Sequence, residues 1–306
     1  MNTPLQTMTT PPDRTKYIGG SDVAAILGLS PWKTQLDLYL DKITPPTGEP
    51  DRNKARIFSR GKRLEPYVLD VLAEEESLNI VERGQRYVDP CGFIAAEIDA
   101  EYFDEKLQSV QNIEIKTSFF GKDFGDSGGD DIPVYYTAQA MHGLMVTNRQ
   151  VCVFGVMIGV DDFRVYRIER DDETIAAIRA RETAFWHEHI LAKVPPEPSN
   201  GDDVARMFAR DSGATIECSA EVLEAVNHLA FLKLNAKESE KAIETVTDKI
   251  KLYMRDASTL TLDGAPILTW KTQETNRFDQ TAFKETHPEL FEQFKKASTS
   301  RVFRIK

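Results

Sequence analysis

Two short segments constrain this chain most: Ile98-Asp99 and Ile113-Glu114-Ile115-Lys116. In the second, apolar and charged residues alternate, and a strand sends successive side chains to opposite faces. Ile113 and Ile115 therefore point into a core while Glu114 and Lys116 point the other way. Asp99 follows an apolar run, residues 93–98, that also has strand character. Paired as a hairpin, the two strands would bring Asp99 toward Glu114. Two carboxylates and an ammonium at the end of a sheet suit a hard divalent cation and an activated water. A lone Glu-x-Lys is more often a solvated strand face with an incidental ion pair, so the surroundings carry the weight.

Size and charge bound the answer. A chain of 306 residues has room for about two domains. Its net charge of −11 disfavours broad, nonspecific nucleic-acid binding, which normally leaves a basic footprint. A local basic groove is compatible with that sum, and the acidic ligands of a metal-dependent nuclease would be offset by their ions. The three cysteines, Cys91, Cys152 and Cys218, are odd in number and widely spaced. They point to a reducing cytoplasm and away from a disulfide framework or an iron–sulfur nuclease, which would need four. No apolar run is long enough for a membrane span, and the N-terminus lacks a secretory pattern.

Along the chain, residues 1–13 are rich in Thr and Pro and read as disordered. Gly19-Gly20-Ser21-Asp22 before an Ala/Ile run reads as a loop feeding a capped helix, whose free amides suit an anion. Ser21 as a plain cap is the commoner use of such a residue. Ser30-Pro31-Trp32 predicts the start of a second helix. After a loop over 44–53, a helix over 54–76 carries Glu65 at the edge of an apolar face, with Pro66 next to it as a start or kink. Strands are expected at 83–88, 93–98 and 113–118, with residues 101–111 as a connection. A glycine-rich acidic loop fills 119–133, and its length marks it as functional or mobile. A helix over 134–146 places Gln139 and His142 on one face. Strands at 150–158 and 163–169 and a helix capped by Asp171 or Asp172 follow. Residues 196–203 read as a linker. Beyond it, 219–256 has the recurring apolar steps of a coiled-coil seam or helical arm, and Asp263-Gly264 marks a hairpin.

A helix, three strands and a helix bearing Glu65, Asp99, Glu114 and Lys116 match a two-metal phosphodiesterase core. Asp99 and Glu114 would hold Mg²⁺, and Glu65 would complete or orient the shell. Lys116 would hold and help deprotonate the attacking water, or neutralise the pentacovalent phosphate.

At these residues the chain resembles a known family. The run Ile18 to Trp32, then Gly61-Lys62-Arg63-Leu64-Glu65-Pro66, Ile98-Asp99, Glu114-Ile115-Lys116 and Gln139 resemble the YqaJ-type viral recombinases. That group is related to lambda exonuclease within the PD-(D/E)XK nucleases. The resemblance covers roughly residues 14–195. It implies an α/β (α+β) fold with a four- or five-stranded mixed sheet flanked by helices. It implies Mg²⁺-dependent digestion of linear double-stranded DNA from its ends, 5′→3′, by a ring-shaped trimer, with Mn²⁺ able to substitute. It further implies phage-type recombination beside a single-strand annealing protein, in the cytoplasm of a phage or prophage host. Asp99, Glu114 and Lys116 match the catalytic signature, Glu65 the helix carboxylate, and Gln139 a glutamine that positions the site. An arginine seven residues before the serine grips a terminal 5′-phosphate in lambda exonuclease. Here Arg14 precedes Ser21 by seven.

The expected organisation is therefore a disordered 1–13, a nuclease domain over 14–195, a linker over 196–203 and a C-terminal helical and hairpin extension over 204–306. An endonuclease on the same core and a non-catalytic DNA-binding or scaffold protein are the rival readings. Asp99, Glu114 and Lys116, all present, speak against the second.

Overall fold

The computed structural model describes residues 13–44, 52–121, 123–297 and 299–305. All but Asp13 of the stretch 1–13, and most of the loop over 44–53, lie outside the described residues. The chain divides into two compact units, Met1–Val204 and Ala205–Lys306.

In the first unit, α1 (Gly20–Ile26), α2 (Gln35–Ile43) and α3 (Arg52–Glu75) precede β1 (Asn79–Val88), β2 (Ala95–Asp104) and β3 (Ser109–Ser118). Then come α4 (Val134–Thr147), β4 (Val151–Ile158), β5 (Asp162–Glu169) and α5 (Asp172–Phe185), which runs into a π-helical turn, Trp186–Leu191. The five strands form one mixed sheet in sequential order. β1–β2–β3 and β4–β5 are antiparallel, whereas β3 and β4 are parallel, joined by α4 as the crossover. This is the α/β, PD-(D/E)XK-like architecture expected. β4 is apolar almost throughout because both of its faces are covered. On one face, Val68, Leu69 and Leu72 of α3 pack on Ala100, Ile113 and Ile115. On the other, α1, α4 and α5 close over Ala96, Ile98 and Phe154.

Several local expectations are overturned. α3 runs unbroken through Pro66. A mid-helix proline costs about 3 kcal/mol. Three fully buried side chains, at about 1.5–3 kcal/mol each, outweigh that. Residues 101–111 are no connection: β2 extends to Asp104 and β3 begins at Ser109. The turn between them is closed by Asp104 Oδ1, which accepts from the amides of Lys106 and Leu107 at 2.8 and 3.0 Å. The helix expected at Ser30 starts at Gln35, because Thr34 and Asp37 form the capping box. Ser30 only closes a turn, accepting from the amides of Trp32 and Lys33. Ser21 is not a cap either. α1 starts one residue earlier, and the Asp22 carboxylate takes the amide of Gly19 at 3.0 Å.

The loop over 119–133 is fastened to β5. Gly128 N donates to Val165 O at 2.7 Å and Val165 N donates to Ser127 Oγ at 2.9 Å. Arg164 and Tyr166 reach back to the carbonyl of Gly125. Residues 196–203 also end anchored: Asp203 is buried, accepting from Thr34 Oγ1 at 3.0 Å and from Ser199. Shortly beyond, the boundary between units falls inside α6 (Gly201–Met207).

The second unit holds α7 (Ala220–Met254), capped by Ser219, and the hairpin β6 (Thr259–Leu262) and β7 (Ala265–Thr269). The hairpin turns on Asp263-Gly264, both at positive φ as a primed turn needs. Two short helices that the sequence pattern did not reveal, α8 (Gln280–Thr286) and α9 (Pro288–Phe294), complete it. No helix among the described residues is long and apolar enough to cross a membrane.

Candidate active site

The site lies where β2 and β3 part. Their ladder ends at Ala100↔Ile113. One step on, the Asp99 carboxylate takes the place of a strand carbonyl, and Ile115 N donates to its Oδ2 at 2.8 Å. The core packing changes side at the same point: Ala96 and Ile98 belong to the α4 side, Ala100 and Tyr102 to the α3 side. Strict alternation would keep all four on one face. Opposite, between Arg83↔Ala100 and Gln85↔Ile98, stands Gly84 with φ +66°, a backbone angle only glycine adopts at little cost.

Glu114 and Lys116 project from β3 toward α4. The Lys116 ammonium donates to Glu114 Oε1 and lies 5.2 Å from the centre of the Tyr136 ring. Gln139, one helical turn beyond Tyr136, donates from Nε2 to that same Oε1. Both donors thus fix one oxygen of a buried carboxylate. Burial, then the charge of Asp99, pushes the Glu114 carboxyl up to about 7. Burial likewise raises Asp99, against the opposing pull of Lys116 and the Ile115 amide. Glu65, on α3, is raised by burial and by Asp99. Burial depresses Lys116, but Glu114 and Asp99 outweigh it and hold the ammonium above its usual range. The four charged groups expected to converge are thus electrostatically joined.

A divalent cation between Asp99 and Glu114 would offset the burial that raises both carboxyls and the charge that Asp99 adds at Glu114. Among the described residues, no three His, Cys, Asp or Glu side chains close into a cage of their own. By donor chemistry alone, the hard carboxylate oxygens of Asp99 and Glu114 are of the kind that Mg²⁺ takes one or two of.

Beside this pocket, Arg14 and Ser21 meet. Arg14 Nη2 donates to Ser21 Oγ at 3.0 Å and to Asp22 Oδ2 at 3.1 Å. Arg14 also lies over the Tyr17 ring, and its Nη1 donates to the Tyr17 hydroxyl at 3.2 Å. A Cβ on Gly19 would stand 2.4 Å from Arg14 Nη1, so any other residue there would push the guanidinium out of this pose. Buried Lys42 holds the turn from below, donating to Arg14 O at 2.7 Å, Tyr17 O at 2.5 Å and Asp22 Oδ2 at 2.8 Å. Burial opposes the charge on Asp22, but Lys42 and Arg14 prevail and hold its carboxyl below the usual range. The start of α1 abuts Gln139, since a Cβ on Gly20 would lie 3.1 Å from Gln139 Cγ. His142, on the same helix face, is wholly buried and bonded to Glu182 and to Ala95 O instead. Lys42 did not stand out in the sequence, and Tyr136 was placed on its helix without a role at the site. A lysine on an amphipathic helix carries no local signal, and the role of Tyr136 was hidden, because their partners are distant in the chain.

A mixed sheet that opens at an Asp, beside a Glu-x-Lys strand and a helix-borne Gln, defines a protein of the PD-(D/E)XK-like fold. Residues 12–150 match the family model of the YqaJ-like viral recombinase domain. The chain is 28% identical over 307 residues to the uncharacterized protein YqaJ of Bacillus subtilis (strain 168), covering 96% of this chain and 92% of that one. Among solved structures, the alkaline exonuclease LHK-Exo of Laribacter hongkongensis is 24% identical, with a TM-score of 0.46 over 59% of this chain and 90% of that one. A phage-related exonuclease from Haemophilus somnus is 13% identical, with a TM-score of 0.41 over 58% of this chain and 96% of that one.

Proposed function

We propose that the chain is a Mg²⁺-dependent DNA exonuclease acting on the ends of linear duplex. The observation that carries this reading is the meeting of Asp99, Glu114, Lys116, Glu65 and Gln139 where the strands part. Asp99 and Glu114 would hold the ion, which lowers the pKa of a bound water and withdraws charge from the phosphate. Lys116, steadied by Glu114 and Tyr136, would orient the attacking water and offset charge growing on the phosphate. Gln139 would keep Glu114 in place, and Glu65 would orient the water-bearing side. Arg14 and Ser21, next to Gln139, would receive the terminal 5′-phosphate. The likeness to YqaJ-type recombinases supports 5′→3′ polarity, a trimeric ring, a single-strand annealing partner and work in phage-type recombination.

The test uses purified full-length protein. Linear duplex should be degraded with Mg²⁺ or Mn²⁺ and spared in EDTA, and closed circular duplex should survive. Lys116→Ala should abolish digestion while circular dichroism and Tm stay near those of the wild type. Full activity in that variant discards the mechanism, and cutting of closed circles replaces the exonuclease with an endonuclease.

A further inference from the structure

The long helix of the second unit bears an apolar seam that, among the described residues, is left exposed in its middle. Every residue from 231 to 246 of α7 is exposed. Within that stretch Leu232 is 49%, Ile243 66% and Val246 57% exposed. With half-buried Leu229 at its start, these residues keep a seven-residue spacing: Leu229, Ala236 and Ile243 in one position of the repeat, Leu232, Ser239 and Val246 in the other. Such a repeat is the seam of a helix that pairs with another helix. The opposite face carries Phe231 and Leu234 but continues as Glu238, Lys241 and Asp248, so only the seam persists along the helix. Helices this long owe their stability in water mainly to packing of such a face.

We propose that α7 is a self-association arm, in which two copies of this chain pair antiparallel along the seam. Side-chain size supports this arrangement. Centred on the small residues, the pairing sets Ala236 against the partner's Ser239, Leu232 against the partner's Ile243, and Leu229 against the partner's Val246. Small meets small and large meets large. Charge supports the same direction. The flanking positions Lys233 and Glu240 then face each other across the interface twice, once on each side of the dyad. Parallel pairing would set Lys233 against the partner's His228 and Glu240 against the partner's Asn235, forming no opposite-charge pair. The inference does not depend on the nuclease reading.

Sedimentation velocity of the full chain over a hundredfold concentration range tests it. The wild type should reach twice the mass of Ile243→Asp, whatever the mass of that variant, with both equally helical by circular dichroism. Lys233→Glu and Glu240→Lys should each shift the midpoint of association upward at least fivefold. The double variant, which swaps the signs, should return to the wild-type midpoint. Equal masses for the wild type and Ile243→Asp overturn the proposal: either the arm then serves another protein or the chain associates elsewhere. Failure of the double variant to recover overturns the antiparallel register.

Discussion

The carboxylate of Asp99 and the amide of Ile115 are bonded at 2.8 Å, and the sheet is open beyond that bond. One oxygen of Asp99 thus does the work of a strand carbonyl. Asp99→Asn preserves an acceptor for the amide and removes the charge. It should keep the fold and lower digestion of linear duplex by about 100-fold or more, since even outer-shell changes at metal sites cost about 10–100-fold. Asp99→Ala should lose the same activity and also about 1–3 kcal/mol of stability, because the Ile115 amide is left without its partner. Rates within tenfold of the wild type in the Asn variant would remove Asp99 from the ion site.

Arg14 is held by Ser21, Tyr17 and Asp22 in a fixed pose with its fork toward the start of α1. Arg14→Ala should leave digestion of a 5′-hydroxyl end nearly as it was and reduce the advantage of a 5′-phosphate about tenfold, a loss of roughly 1.4 kcal/mol, in line with one charged hydrogen bond. Single-turnover rates on the two ends measure it. An unchanged ratio would take Arg14 and Ser21 out of phosphate binding.

Lys42 and Asp22 form a buried ion pair, with side chains only 3% and 7% exposed. Replacing Lys42 by Met strands a buried carboxylate with Arg14 as its remaining cation. Breaking one side of such a pair costs about 3–5 kcal/mol. The change also frees the carbonyls of residues 14 and 17, which Lys42 now ties down. Urea unfolding should show the loss, and a change under about 1 kcal/mol would mean the pair contributes little.

These residues also mark what the sequence could express. The alternation in Ile113–Lys116, the Asp-Gly turn and the long helix over 219–256 are local patterns, and local rules recover them. Asp99 was legible as the end of an apolar run. The reversal of faces around it was not, because it depends on Gly84, fifteen residues away on another strand. Residues 101–104 looked like a polar connection since Glu101 and Asp104 are charged. Glu101 is buried in β2 because Arg149 pairs with it at 3.0 Å and Tyr87 donates to it at 2.7 Å, contacts that only the folded sheet creates. The loop over 119–133 lacked periodicity because it is held by single bonds to β5 and not by a repeating ladder.

The last prediction concerns acidity and the core. His142 and Glu182 are wholly buried, with Nδ1 2.6 Å from Oε1, and Nε2 of the ring lies 2.9 Å from Ala95 O. An imidazole with acceptors at both nitrogens is satisfied when both carry protons. Burial opposes the charge, yet Glu182 and the Ala95 carbonyl prevail and raise the histidine above its ordinary value. A group whose pKa is raised on folding stabilises the fold fully below its unfolded pKa, about 6.5. That contribution is lost as pH climbs through the raised folded value. The wild type should therefore lose Tm from near-neutral into mildly alkaline pH, and His142→Gln, less stable at pH 6, should lose less over the same window. The two Tm curves should converge as pH rises. Parallel curves would mean that the ring stays neutral throughout.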